Sequence, residues 1–82
     1  MKKNITINLF GQLYAIDEDA YQMLECYLES MKSYFSRQEG GEEIDDDIEH
    51  RVAELLWERR EAGSEAVDLN TVKAIIKQIG NP

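Results

Sequence analysis

Cysteine, histidine and proline each occur once in this chain, and each scarcity removes a class of explanation. A single cysteine, Cys26, permits no intramolecular disulfide and no thiolate zinc centre, which fits a reducing compartment. A single histidine, His50, leaves little for acid–base or nucleophilic catalysis. Glycine-rich phosphate loops, Ser/His/Asp sets and catalytic carboxylate pairs are missing as well. No enzyme, cofactor, metal or small-molecule substrate is therefore expected. Apolar runs stay far below the ~18 residues of a membrane span. The opening Met1-Lys2-Lys3-Asn4 leads into Ile5-Thr6-Ile7-Asn8-Leu9, an alternation unlike a signal-peptide core. As given, the chain is expected to be soluble and cytoplasmic. Basic residues are also few, with 9 Lys and Arg against 17 Asp and Glu and a net charge of −8. Such a charge opposes approach to nucleic acid and favours basic or apolar partners.

What is present is enough for one domain. The 82 residues are 43% apolar and 32% charged, a globular composition near the lower size limit for folding without disulfides or metal. A single domain spanning residues 1–82 is expected.

Ile5, Ile7 and Leu9 alternate with Thr6, Asn8 and Phe10, the pattern of a half-buried strand. Gly11-Gln12 suits a two-residue turn, since glycine tolerates the positive φ that a type II′ turn requires. That turn pairs Phe10 with Leu13, Leu9 with Tyr14 and Ile7 with Ile16. It places Ile5, Ile7, Leu9, Tyr14 and Ile16 on one face. Asp17 is suited to cap a helix opened by Glu18 and Asp19. Along that helix Ala20, Leu24, Tyr27, Leu28, Met31, Tyr34 and Phe35 recur at three- and four-residue steps, flanked by Tyr21 and Met23. The helix is predicted to reach about Gln38 and stop at Gly40-Gly41.

A second helix is predicted from Glu42, with Ile44, Ile48, Val52, Leu55, Leu56 and the stem of Arg59 on its apolar face and Gly63 at its end. Ala66-Val67 reads as a short edge strand able to join the hairpin. Asp68 caps a last helix with Leu69, Val72, Ile75, Ile76 and Ile79 inward, closed by Gly80 and Pro82. The order β-β-α-α-β-α describes an α+β fold in two layers, a β-hairpin plus a short third strand packed against three helices.

The features that attract functional attention lie mainly on the second helix. Glu39, Glu42, Glu43, Asp45, Asp46, Asp47 and Glu49 form an acidic run without a base. It has neither the alternation nor the central glycine of a calcium loop, and acids gathered at a helix N-terminus are stabilised by its dipole. Asp46, His50 and Glu54 share a helix face, but no second histidine or cysteine completes a metal site. Trp57 falls almost opposite the apolar stripe, beside Ala53 and His50, where a large aromatic marks a contact surface unless the hairpin or last helix covers it. Cys26 has no base at helical spacing, so a reactive thiolate is not expected. The tyrosines and phenylalanines are not interleaved with arginines and read as packing. A partner-binding surface of Glu42, Glu43, Asp46, Asp47, His50, Ala53 and Trp57 is therefore expected. Two alternatives stand beside it. One is a helix-turn-helix DNA-binding regulator presenting Lys73 and Lys77, despite a long Ala62–Leu69 connection. The other is a metal- or redox-responsive protein using Asp46, His50, Glu54 or Cys26.

Several stretches taken together carry a resemblance: Ile5-Thr6-Ile7-Asn8-Leu9-Phe10-Gly11, Ile16-Asp17-Glu18-Asp19-Ala20-Tyr21, Tyr34-Phe35, and Gln38-Glu39-Gly40-Gly41-Glu42-Glu43-Ile44. Asp47-Ile48-Glu49-His50-Arg51-Val52-Ala53-Glu54-Leu55 and the closing Ile79-Gly80-Asn81-Pro82 belong with them. In order and spacing this resembles the N-terminal cytoplasmic region of PspC-domain (phage-shock-protein-C-like) proteins of the Bacteroidetes, over nearly the whole chain. Trp57 and Cys26 match no motif of that family. The resemblance implies a stretch of a longer envelope-stress membrane protein, with a linker and a hydrophobic inner-membrane segment expected after Pro82. It also implies the label of stress-responsive transcriptional regulator, attached to the family by association with the phage-shock system. The function expected is a non-catalytic regulatory domain that binds a protein partner or itself, without direct contact to nucleic acid.

Overall fold

The computed structural model describes residues 3–9, 11–63 and 66–80. Two strands, β1 (Asn4–Leu9) and β2 (Gln12–Asp17), precede three helices, α1 (Glu18–Phe35), α2 (Gly41–Glu61) and α3 (Leu69–Ile79). The fold is α+β, a hairpin followed by a helical layer.

The hairpin pairs Leu9 with Gln12, Asn8 with Leu13, Ile7 with Tyr14, Thr6 with Ala15, Ile5 with Ile16 and Asn4 with Asp17. The predicted pairing is thus displaced by two residues, and the link between the strands is 10–11 rather than Gly11-Gln12. Phe10 lies outside the described residues; Leu13 is paired with Asn8. A displacement of two preserves the alternation of side chains, so the predicted apolar face stands. Tyr14 and Ile16 are buried, with Ile5, Ile7 and Leu9 packed against them. Gly11 holds φ at +83°, and its amide donates to the Asn8 side-chain oxygen at 3.1 Å. The expected third strand reduces to one parallel bridge, Val67 to Ile16. Val67 N–H donates to the Ala15 carbonyl and receives the Asp17 N–H at its own, both at 2.8 Å.

Asp17 precedes α1 without capping it, because its carboxylate accepts from the Asn4 side-chain amide at 3.0 Å. The first helical amide is satisfied instead by the residue preceding β1, through Glu18 N–H to the Lys3 carbonyl at 2.7 Å. Helix α1 is central to the core. Its Ala20, Leu24, Tyr27 and Met31 are buried together with Val52, Leu55 and Leu56 of α2 and Val72 and Ile75 of α3. The Tyr27 hydroxyl donates to the Gly80 carbonyl oxygen at 2.6 Å, tying the middle of α1 to the end of α3. Asp68 caps α3 as expected, accepting from Thr71 N–H at 2.7 Å, and Gly80 closes it with φ at +96°. Pro82 lies outside the described residues.

α1 ends at Phe35, about one turn before the predicted Gln38, and residues 36–40 form the connection to α2. Gly41 is buried at the start of α2, where a Cβ would overlap the Phe35 backbone carbonyl. It lets two helix ends approach, a stronger requirement than ending a helix. Two predicted core positions are exposed, Tyr34 at 48% and Ile44 at 40%. The short α3 ends level with Tyr27, so Tyr34, about two turns further along α1, lies beyond its reach. Tyr34 instead meets Phe35 edge-on, ring centroids 4.9 Å apart. Ile44 stands at the margin of the α2 stripe in the opening turn of that helix, beyond the cover of α3.

Candidate functional site

Steps of four, four, three and four residues align Glu42, Asp46, His50, Ala53 and Trp57 along one line of α2. At the rise of an α-helix this line is about 22 Å long. Glu43 and Asp47 flank it. All of these side chains are exposed except Ala53, which is half-buried. The seven expected residues therefore share one side of one helix, as an extended strip rather than a pocket. The helix turns this strip outward because Val52, Leu55 and Leu56 occupy the opposite side and are held in the core.

The end of the strip near Trp57 is shaped by the hairpin. A shallow groove there has Leu9, Gln12 and Tyr14 on one wall and His50, Ala53, Glu54 and Trp57 on the other. Trp57 is 38% exposed, so it is partly covered but still presents much of its ring. Arg60 lies over it, with its guanidinium carbon 5.0 Å from the Trp57 ring centroid and 5.8 Å from that of Tyr14. Both distances permit a cation–π attraction. Arg60 Nη1 also donates to the Leu13 carbonyl oxygen at 2.9 Å. The Tyr14 hydroxyl donates to the Ala53 carbonyl at 3.4 Å, a long contact on the same seam. Burial raises the Tyr14 phenol above its ordinary pKa, with the Arg60 charge opposing part of the rise.

Leu13, 59% exposed, is tied to this end of α2 through its carbonyl, which accepts from Arg60. Neither Leu13 nor Arg60 was among the expected site residues. Arg60 follows Trp57 by three positions, a helical spacing that brings a cation onto an aromatic face. Leu13 lies on the outward face of the hairpin in either register, but the contact of its carbonyl with Arg60 depends on how the hairpin docks on α2.

The residues of the metal and redox alternative do not converge. His50 Nδ1 lies 2.9 Å from the Asp46 backbone carbonyl, and Glu54 pairs with Arg51 at 2.9 Å. Cys26 is exposed on α1. Among the described residues no group of three His, Cys, Asp or Glu side chains is placed to hold a metal ion. Lys73 and Lys77, the bases of the helix-turn-helix alternative, flank a groove between α3 and α1 that also includes Cys26 and Ile76. No helix among the described residues is long and apolar enough to cross a membrane.

No protein-family model, curated protein or solved structure matches this sequence.

Proposed function

We propose that this chain is a non-catalytic regulatory domain that works by binding another protein through the outward face of α2. The observation carrying this reading is Trp57, a large aromatic left 38% exposed at the end of an acidic strip and backed by Arg60. Tryptophan and arginine supply a disproportionate share of binding energy where proteins meet. The acids Glu42, Asp46 and their neighbours on the same helix favour a partner with a basic surface and speed its approach.

The resemblance of the motifs from Ile5 to Leu55 to PspC-domain proteins gives this domain a setting. In that setting it lies on the cytoplasmic side of the bacterial inner membrane, attached through a segment outside this chain. It relays envelope stress through its protein partner, and any influence on transcription passes through that partner rather than through DNA contact.

The test is co-purification with the immobilised domain, comparing the native chain with a Glu42→Lys, Asp46→Lys double variant. A partner retained by the native chain and lost by the variant supports the reading. Equal retention by both removes the acidic strip from it.

A further inference from the structure

The two edges of the hairpin are treated differently. On β2, the Ala15 carbonyl and Asp17 amide point away from β1 and bond to Val67. Their register partners Thr6 and Asn4, and Asn8 beyond them, therefore turn their backbone groups outward on the far side of β1. Those groups meet no backbone partner among the described residues. The strand Asn4-Ile5-Thr6-Ile7-Asn8-Leu9 has no charge and no proline, and its six residues pair without a bulge. These are the devices by which sheet edges are normally kept from accepting another strand.

A groove runs beside this edge. It is lined by β1, α1 and Glu49 of α2, with no residue from β2, which places it on the open side of the hairpin. Ile7, Tyr21, Leu24 and Leu28 form its apolar floor. Its rim has the carboxylates Glu25, Glu29 and Glu49 against the single ammonium of Lys32. The neighbouring Glu25 carboxylate, chiefly as a hydrogen-bond acceptor, raises the Tyr21 phenol above its ordinary pKa.

We propose that the outer edge of β1 accepts an extended, basic peptide segment of another protein as an added strand. The peptide backbone bonds to the outward groups of Thr6 and Asn8. Alternate side chains of an extended chain point to opposite faces, so every second residue lies on the apolar floor. These groove-facing residues are the basic ones, each laying its aliphatic stem on the floor and carrying its ammonium to Glu25, Glu29 or Glu49. A second copy of this chain is disfavoured as the occupant, because each copy has a net charge of −8 and would bring like charges together. The proposal rests on reading the chain as an interaction module, but it concerns a face separate from the Trp57 strip.

The experiment is NMR titration of the isotope-labelled chain with a capped octapeptide alternating valine and lysine. The expected result is shifts centred on the Thr6 and Asn8 amides, with affinity at least tenfold weaker when alternate peptide amides are N-methylated. Replacing the peptide lysines by glutamate is expected to abolish binding. Thr6→Pro removes one outward N–H without touching the ladder to β2, and at least a fivefold loss of affinity is expected. If that variant fails to fold, Glu25→Gln with Glu29→Gln keeps the edge intact and is expected to weaken the lysine peptide at least threefold. Trp57→Ala is expected to bind the peptide as the native chain does, which separates this proposal from the α2 reading. Unmoved Thr6 and Asn8 amides, or equal binding of the N-methylated peptide, overturns it. A concentration-dependent dimer lost in Thr6→Pro would overturn the choice of occupant in favour of a second copy.

Discussion

Arg60 donates to the Leu13 carbonyl oxygen at 2.9 Å, a bond that spans 47 positions of sequence and locks the hairpin onto the last turn of α2. The same guanidinium backs Trp57, so the exposed ring is held at a fixed attitude by the contact that docks the hairpin. Replacing Arg60 by Ala removes the bond and the cation–π contact together. The expected cost is about 1 kcal/mol, since both groups are solvent-accessible. Urea unfolding measures the cost, and a change in Trp57 fluorescence in the folded state reports the freed ring. An unaltered Trp57 spectrum in Arg60→Ala would contradict this arrangement.

Tyr27 makes a second long-range tie, to Gly80 at 2.6 Å, and burial raises its phenol above the ordinary value of 10.0. Tyr14 is raised too, chiefly by burial. A folded pKa above the unfolded one means that the contribution to stability is complete below pH ~10. It is lost as pH rises through the folded values, because the unfolded chain then binds fewer protons. Stability is therefore expected to fall above pH ~10. Tyr27→Phe is expected to cost about 1 kcal/mol at neutral pH and to make the alkaline decline shallower. Urea midpoints across pH 7 to roughly 11 check both, and an unchanged alkaline slope would remove Tyr27 as a cause.

Among the described glycines, Gly41 is the one where an added Cβ would collide with another part of the backbone. Gly41→Ala would push a methyl group into the Phe35 carbonyl, and the start of α2 must move to relieve it. A loss of about 2–4 kcal/mol is expected, because the overlap is with backbone rather than with a side chain that can rotate away. Gly63→Ala, where a Cβ meets only open space but φ is +100°, is expected to cost about 1 kcal/mol. Thermal melts of the two variants give the comparison. Equal melting temperatures would show that the α1–α2 approach is not tight.

Much of this fold was legible because periodicity reports which side of an element is buried. The apolar face of the hairpin, the stripes of the three helices, the Asp68 cap and the Gly80 stop all follow from local pattern. The register was not legible for the same reason. A shift of two residues leaves every side chain on its own face, so the pattern is blind to it. Tyr34 and Ile44 show a second limit. A helical stripe states which way a residue points but not whether a neighbouring helix extends far enough to cover it. Asp17 shows a third, since its carboxylate chose Asn4 across the hairpin over the helix that follows it. At the candidate site, alignment of Glu42, Asp46, His50, Ala53 and Trp57 was readable from spacing. The hairpin wall and the Arg60 bond to the Leu13 carbonyl required the docking of the hairpin on α2, which no local pattern states.

The most direct measurement of the central claim is affinity for a partner recovered with the immobilised native domain, measured by calorimetry against native chain and Trp57→Ala. Trp57 is 38% exposed and stands outside the core cluster, so the variant is expected to melt within a few degrees of the native chain. The account predicts affinity at least tenfold weaker for Trp57→Ala with the fold intact. Equal affinity of the two chains for that partner would contradict it.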